Sequence, residues 1–362
     1  MKLGRTVAQT LRWARAAKAQ SGRGYLAQLA DVLRLRAAGK GVGVDLYYGL
    51  RLFEPNRTWQ QKSEYVGLWI KDRLYRVQDP DTLQLFKDKL RAAVFFQDHD
   101  IPSPPILAAT HTTIDVPGMV ALHSPEALKA WLAEQAPYPL FSKPSASYGG
   151  FGNVLIETFD RTGGRLVFRD GGSVSLDDFA ARHGAPGKST LIFQEVLRPH
   201  PEMAALIGPR LATARVMVLN DRRDPEIYRL GLRIPAGNSM VDNFRGGESG
   251  NLLARIDPET GKARDVLAAI GVDWRAITHS PDTGQSFEGF TLPDWEEATA
   301  LLLRASRAVR GLKIQSWDVA FTDKGPVLLE NNTTGDLFLV QLVADRGLAT
   351  PRFMELYNGE RI

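Results

Sequence analysis

The chain has 362 residues, 44% of them hydrophobic and 24% charged, an ordinary balance for a globular protein with room for two or three packed subdomains. It lacks cysteine, which excludes disulfides, thiolate metal sites and cysteine nucleophiles. No apolar run approaches the ~18–20 residues that span a bilayer, and the first twenty residues lack the apolar core of a secretory signal, so a cytoplasmic protein is expected. The six histidines are scattered without helix-turn spacing, which argues against zinc, and no Gly-x-Ser-x-Gly elbow marks a hydrolase.

Four regions are expected along the chain. Residues 1–80 read as a helical, basic N-terminal region. Within residues 1–40, nine Lys and Arg face the single acid Asp31, a net of +8 that leaves the rest near −4 against the overall +4. Leu11, Ala14 and Ala17 mark one helix face, and Leu26, Leu29, Leu33 and Leu35 another. Two readings stay open: a surface helix pair with a solvated basic side, or a peripheral contact with an anionic membrane or acidic partner. Nucleic acid is not expected, because no aromatic platform accompanies the charge.

Residues 81–138 read as a mixed linking region, with helices over Thr82–Gln97 and Pro125–Glu134. Residues 139–198 read as a small subdomain. There a strand ends in Lys143, and a loop through Ser147, Gly149 and Gly150 leads into a second strand. Glycines let successive backbone N–H groups close over phosphates, and Lys143 adds a point charge. The loop has no Gly-Lys-Ser/Thr ending and enters a strand rather than a helix, which excludes a Walker loop or a dinucleotide fold. Strands over Arg165–Phe168 and Ser173–Ser175 precede a helix over Leu176–His183.

Residues 199–362 read as a larger subdomain with strands from Thr213 and Glu226, a helix over Pro293–Val309, and a final hairpin. Arg215 lies in an otherwise apolar strand. A buried guanidinium there needs an anion, either a ligand phosphate or carboxylate or an internal partner. Arg233 on the next strand raises the same two readings. The segment Asp242-Asn243-Phe244-Arg245-Gly246-Gly247 is a turn-rich polar loop, and His279–Gly284 reads as a structural turn. The hairpin pairs Ile314–Phe321 with Pro326–Glu330 as two alternating strands around Asp323-Lys324-Gly325. Alternation places Asp318 and Glu330 near corresponding strand ends, with Asn332 on the face of Glu330. These residues are either solvated hairpin acids or an all-oxygen cation site of the kind that suits Mg²⁺, with Mn²⁺ as a substitute.

The order of these pieces carries a resemblance. Phe86-Lys87-Asp88-Lys89-Leu90, the Lys143 strand with its glycine loop, Leu191–Leu197, Thr213–Val218 and Asp318…Glu330-x-Asn332 follow one another as in the ATP-grasp superfamily. Met240–Gly247 and His279–Gly284 resemble its sugar-transfer-associated branch. The similarity covers about residues 80 to 345. It implies an α/β (α+β) fold of two α+β subdomains that clamp a nucleotide, here behind a helical N-terminal region where the superfamily usually has a βαβ-type domain.

By the same resemblance, ATP would be bound by Lys89, Lys143, Ser147, Gly149, Gly150 and the segment Gln194, Glu195, Val196 and Leu197. Glu202 or Glu195 would take the ribose, and the pattern does not fix which. Asp318, Glu330 and Asn332 would hold Mg²⁺, and Arg215 and Arg233 would be catalytic. Asp242, Asn243, Gly246 and Gly247 would face substrate. The implied activity is an ATP-dependent carboxylate–amine ligase that forms an amide through an acyl phosphate, with small-molecule carboxylate and amine substrates. The alternatives are a kinase of the same fold acting on a hydroxyl and a non-catalytic nucleotide-binding scaffold.

Overall fold

A computed structural model describes residues 7–146, 152–185, 187–221, 224–237 and 242–361. The chain forms two compact units. The larger takes the chain up to Leu83, Pro199–Pro326 and the stretch from Asn331 onward; the smaller takes Gln84–Arg198 and Val327–Glu330.

Helices open the larger unit: α1 (Val7–Ser21), α2 (Tyr25–Ala37), α3 (Val44–Gly49), α4 (Trp59–Ser63) and α5 (Lys71–Arg76). α1 buries Trp13 and Ala17, and α2 buries Val32 and Leu35 beside the polar Gln28 and Asp31. These side chains share one core with Tyr47, Tyr48 and Phe53, and with Leu253, Ala269 and Leu339 from later in the unit. The buried Gln28 and Asp31 are both engaged. Arg23 and Lys62 pair with Asp31 at 2.8 and 2.9 Å, and the Tyr48 hydroxyl donates to Gln28 at 2.8 Å. The N-terminal helices therefore pack as part of this unit. α4 and α5 are too short to persist alone and depend on such contacts. Gln341, for example, both accepts from and donates to the Val66 backbone.

The helix expected over Thr82–Gln97 is two helices, α6 (Pro80–Lys87) and α7 (Lys89–Asp98). Asp88 breaks it: its backbone is extended (φ −106°, ψ 117°), and its carboxylate accepts the Leu90 N–H at 2.9 Å as an N-cap. Lys89 thereby becomes the first residue of α7.

The smaller unit continues through β1 (Ile106–Thr110), β2 (Val120–Leu122), α8 (Pro125–Glu134), β3 (Leu140–Pro144), β4 (Val154–Asp160), β5 (Arg165–Phe168), β6 (Ser173–Ser175), α9 (Leu176–His183) and β7 (Leu191–Glu195). Its sheet runs β2-β1-β7-β3-β4-β5-β6. The sequence reading set residues 81–138 apart from 139–198. The sheet joins them, because β1 pairs antiparallel with β7 (Ala109 opposite Ile192). α8 and α9 bury Leu128, Trp131, Leu132 and Phe179 in a core with Phe193 and Ile156 of the sheet.

From Pro199 onward follow α10 (Pro201–Ile207), β8 (Thr213–Leu219), β9 (Glu226–Ile234), β10 (Leu252–Ile256), β11 (Ala263–Ile270), β12 (Asp273–Ala276), α11 (Trp295–Ala308), β13 (Ile314–Thr322), β14 (Gly325–Asn331), α12 (Leu337–Ala344) and α13 (Pro351–Asn358). The sheet order is β12-β11-β10-β9-β8-β13-β14. Alternation was expected for β13, but all nine of its residues are buried. It is an interior strand covered on both faces, so Gln315, Ser316, Asp318 and Thr322 are buried along with its apolar residues. α11 supplies part of that cover: the Trp317 indole N–H donates to the Ser306 hydroxyl at 3.0 Å. Asp318 is thus mid-strand and buried, not at the strand end expected from the hairpin pattern.

Candidate functional site

In the larger unit, β8, β9 and β13 place three charges side by side, and Asp242, from the chain after β9, adds a fourth. Cross-strand register sets Arg215 opposite Asp318, and Thr213 opposite Arg233. The Arg215 Nε lies 2.6 Å from Asp318 Oδ1, and Arg215 Nη2 donates to Oδ2 at 3.2 Å. Arg233 Nη2 is also 3.2 Å from Asp318 Oδ2, while its Nε is 3.4 Å from Asp242 Oδ2 and donates to the Thr213 hydroxyl at 3.2 Å. That hydroxyl in turn donates to Asp242. Both guanidiniums and the Asp318 carboxylate are buried, so each needs a counter-charge to remain ionised. Two cations and two carboxylates balance. Burial still holds the Asp242 carboxyl above the usual carboxylate range, against the pull of Arg233 and Thr213.

Asn332, just past β14, donates its side-chain N–H to Asp318 Oδ2 at 3.2 Å, and its backbone N–H bonds the Ser316 carbonyl at 2.7 Å. A half-turn of the amide exchanges donor for acceptor and puts its oxygen beside the carboxylate. The two residues therefore fit a hard cation in donor chemistry. Among the described residues no three His, Cys, Asp or Glu side chains gather for a metal. Any cation here would take the rest of its shell from water or bound phosphates, as Mg²⁺ usually does.

The smaller unit carries the lysines. Lys89 docks on the residue that opens the glycine loop: its backbone N–H and its ammonium both donate to the Ser145 carbonyl, at 3.2 and 3.3 Å. Burial pushes the Lys89 ammonium below its ordinary range, while Glu330 and Asp88 pull it back up. Lys143 is half-buried on β3, its ammonium 5.7 Å from the centre of the Phe141 ring. Ser147, Gly149 and Gly150 lie outside the described residues. Gln194 is buried and donates to the Pro104 carbonyl at 3.0 Å; Glu195 is exposed, and Val196 and Leu197 are half-buried. In the larger unit, Glu202 is exposed in the first turn of α10.

The loop at 242–247 is anchored as well as polar. Asp242 joins the arginine cluster, the Asn243 carbonyl accepts from Asn251 Nδ2 at 3.0 Å, and Phe244 is buried in the core. Gly246 and Gly247 have φ of +67° and +91°. A Cβ on Gly247 would sit 1.8 Å from the Ala269 carbonyl oxygen, so only glycine fits. The turn at His279–Gly284 has a structural role. Asp282 pairs with Arg210 and accepts the Gly237 N–H at 3.2 Å, and the Thr283 hydroxyl donates to the Leu206 carbonyl at 2.6 Å.

Sequence reasoning missed the hydroxyl of Thr213 and the pairing of Asp242 with Arg233. The available signal was a threonine two residues before a strand arginine, which is too common to single out.

Several solved structures are similar at low identity. D-alanyl-alanine synthetase A from Vibrio cholerae is 14% identical, with a TM-score of 0.41 over 79% of this chain and 64% of that one. VanG D-Ala:D-Ser ligase from Enterococcus faecalis is 13% identical, with a TM-score of 0.42 over 77% and 64%. Biotin carboxylase from Campylobacter jejuni is 12% identical, with a TM-score of 0.48 over 81% and 52%. The chain spans less than two thirds of the length of each. No curated protein matches in sequence. Residues 71–355 match the family described as sugar-transfer-associated ATP-grasp, which covers both sheets and the whole arginine–carboxylate cluster. The chain belongs to the sugar-transfer-associated ATP-grasp family.

Proposed function

We propose that this protein is an ATP- and Mg²⁺-dependent carboxylate–amine ligase. Its family belongs to a superfamily of ATP-using enzymes that carry out ligation and carboxylation. The observation that carries the finer reading is the pair of buried guanidiniums, Arg215 and Arg233, held beside Asp318 and Asn332 on one sheet. Fixed cations in a low-dielectric setting stabilise a phosphoryl group in transfer without reorganising at the moment of reaction.

In this reading the substrate carboxylate oxygen bonds to the γ-phosphorus as the bond to the β–γ bridging oxygen breaks, releasing ADP. The amine nitrogen then bonds to the acyl carbon, phosphate leaves, and the amine gives up a proton. Arg215 and Arg233 hold the transferred phosphate, while Asp318, Asn332 and Glu330 would hold the metal. When bound, the metal neutralises charge on the phosphates. Lys89 and Lys143 bind phosphate oxygens, and the glycine loop with Gln194–Leu197 holds the nucleotide. Asp242 fixes Arg233 through Thr213, and the loop it starts, with Asn243, Gly246 and Gly247, faces the substrate.

The test is ADP release from ATP and Mg²⁺ with pooled carboxylic acids and amines, followed by mass spectrometry of the product. An amide with stoichiometric ADP and phosphate supports the reading. A phosphate ester as the only product would replace it with a kinase.

A further inference from the structure

The outer side of α2 is apolar where a surface helix is normally polar. Leu26, Leu29 and Leu33, spaced three and four residues apart, form a stripe on the side opposite the buried Gln28, Asp31, Val32 and Leu35. Leu26 is 84% exposed, so the stripe contributes nothing to the core described above. Near the exit of α2, Trp69 is 82% exposed; its Cβ packs against Gly41, which leaves its ring outward. Leu68 beside it is exposed as well.

The exposed charges on the helices α1 and α2 have one sign, while exposed acids nearby come from other elements, Asp72 beside Trp69 and Asp273 against Gln20 of α1. Every exposed ionised side chain on α1 and α2 is a cation: Arg12, Arg15, Lys18, Arg34 and Arg36. The one acid on these helices, Asp31, is buried and already paired with Arg23 and Lys62. An apolar stripe of leucines with a projecting tryptophan, on helices whose five exposed charges are all cations, complements a surface that is anionic outside and hydrocarbon beneath. An acidic protein partner would match the charge but gives no reason for a lone projecting indole, the side chain that favours the membrane–water interface.

We infer that α2 and Trp69 form a docking surface for an anionic lipid bilayer, with the leucines and the indole entering the headgroup region and the α1 and α2 cations lying over acidic headgroups. This surface is independent of the ligase reading.

Vesicle flotation of the full chain tests it. The protein should float with phosphatidylcholine vesicles containing phosphatidylglycerol and remain behind with phosphatidylcholine alone. Raising the salt to about 0.5 M should weaken flotation, because screening shortens the reach of the cations. The triple change Leu26→Ser, Leu29→Ser and Leu33→Ser should weaken it by about tenfold or more, and Trp69→Ala several-fold. Both variants should keep the far-UV spectrum and thermal transition of the parent, since the replaced side chains are exposed; Trp69→Ala decides alone should the triple variant unfold. No flotation, equal flotation with both vesicles, or unchanged flotation of the Trp69 variant overturns the inference. A dimer in sedimentation velocity that the leucine changes abolish also overturns it, since a second copy of the chain would then cover the stripe.

Discussion

Arg215 on β8 and Asp318 on β13 are directly opposite cross-strand partners, buried and in contact at 2.6 Å. Asp318 also meets Arg233 and Asn332, so one carboxylate holds together two guanidiniums and an amide. A divalent cation bound at Asp318 would compete with both arginines for the same two oxygens.

The first prediction concerns stability. Asp318→Ala takes the Asp318 carboxylate from buried Arg215 and leaves Arg233 with Asp242, and removing one partner of a buried pair costs about 3–5 kcal/mol. Urea unfolding should show a loss of that size, with Arg215→Met and Asp318→Leu together recovering part of it. A loss below about 1 kcal/mol for the single change would mean the cluster is hydrated rather than buried.

A second prediction separates the two lysines from an ordinary hairpin. Lys89→Ala and Lys143→Ala should each raise the apparent KM for ATP and slow turnover, because phosphate contacts act in both ground and transition states. For Lys89 the loss should exceed that of a surface lysine, since its ammonium is half-buried against Ser145. Unchanged kinetics in both variants would detach the glycine loop from nucleotide binding.

Glu330→Gln tests the third of the proposed metal ligands. It keeps the side-chain volume and removes one charge, so folding should persist while ATP turnover falls by tenfold or more, roughly the loss of 1.4 kcal/mol of transition-state stabilisation. The partly buried Lys89 also loses an anion that holds its charge. Activity above about a tenth of the parent would remove Glu330 from the ligand set.

Much of the fold was legible because local signals and tertiary structure agreed. The helices expected at Pro125–Glu134 and Leu176–His183 have those bounds, and Ser124 and Ser175 cap them as their types suggest. The arginine inside an apolar strand announced a buried anion partner. What escaped the sequence was set at long range. Asp242 reaches Arg233 through Thr213, 29 and 20 residues away along the chain, and β13 is covered on both faces by elements its own pattern cannot disclose. α3 to α5 are a turn or two each and were legible only as part of a helical region, because packing and not propensity defines their ends.

The fourth prediction uses pH. Burial pushes the Asp31 carboxyl up, but hydrogen bonds and charge from Lys62 and Arg23 outweigh it and hold the pKa below its ordinary value. A depressed carboxyl pKa adds stability that is complete above the unfolded value, about 3.9, and is lost as pH falls through the folded one. Asp31→Asn should therefore be less stable than the parent at neutral pH, and the gap should close below about pH 4. Burial pushes the Lys62 ammonium below its ordinary range, against the pull of Asp31. A gap constant from pH 7 to pH 3 would contradict the ion-pair account.

The most direct test of the proposed chemistry is trapping the activated acid. With ATP, Mg²⁺, hydroxylamine and the acid that supports ADP release, but no amine, the account predicts a hydroxamate formed in step with ADP, because an acyl phosphate is open to attack by any small nucleophile. Arg215→Met should abolish it, since the buried guanidinium would no longer stabilise the transferred phosphate. A stable phosphate ester, with neither hydroxamate nor amide, would contradict the ligase assignment while leaving the family and fold unchanged.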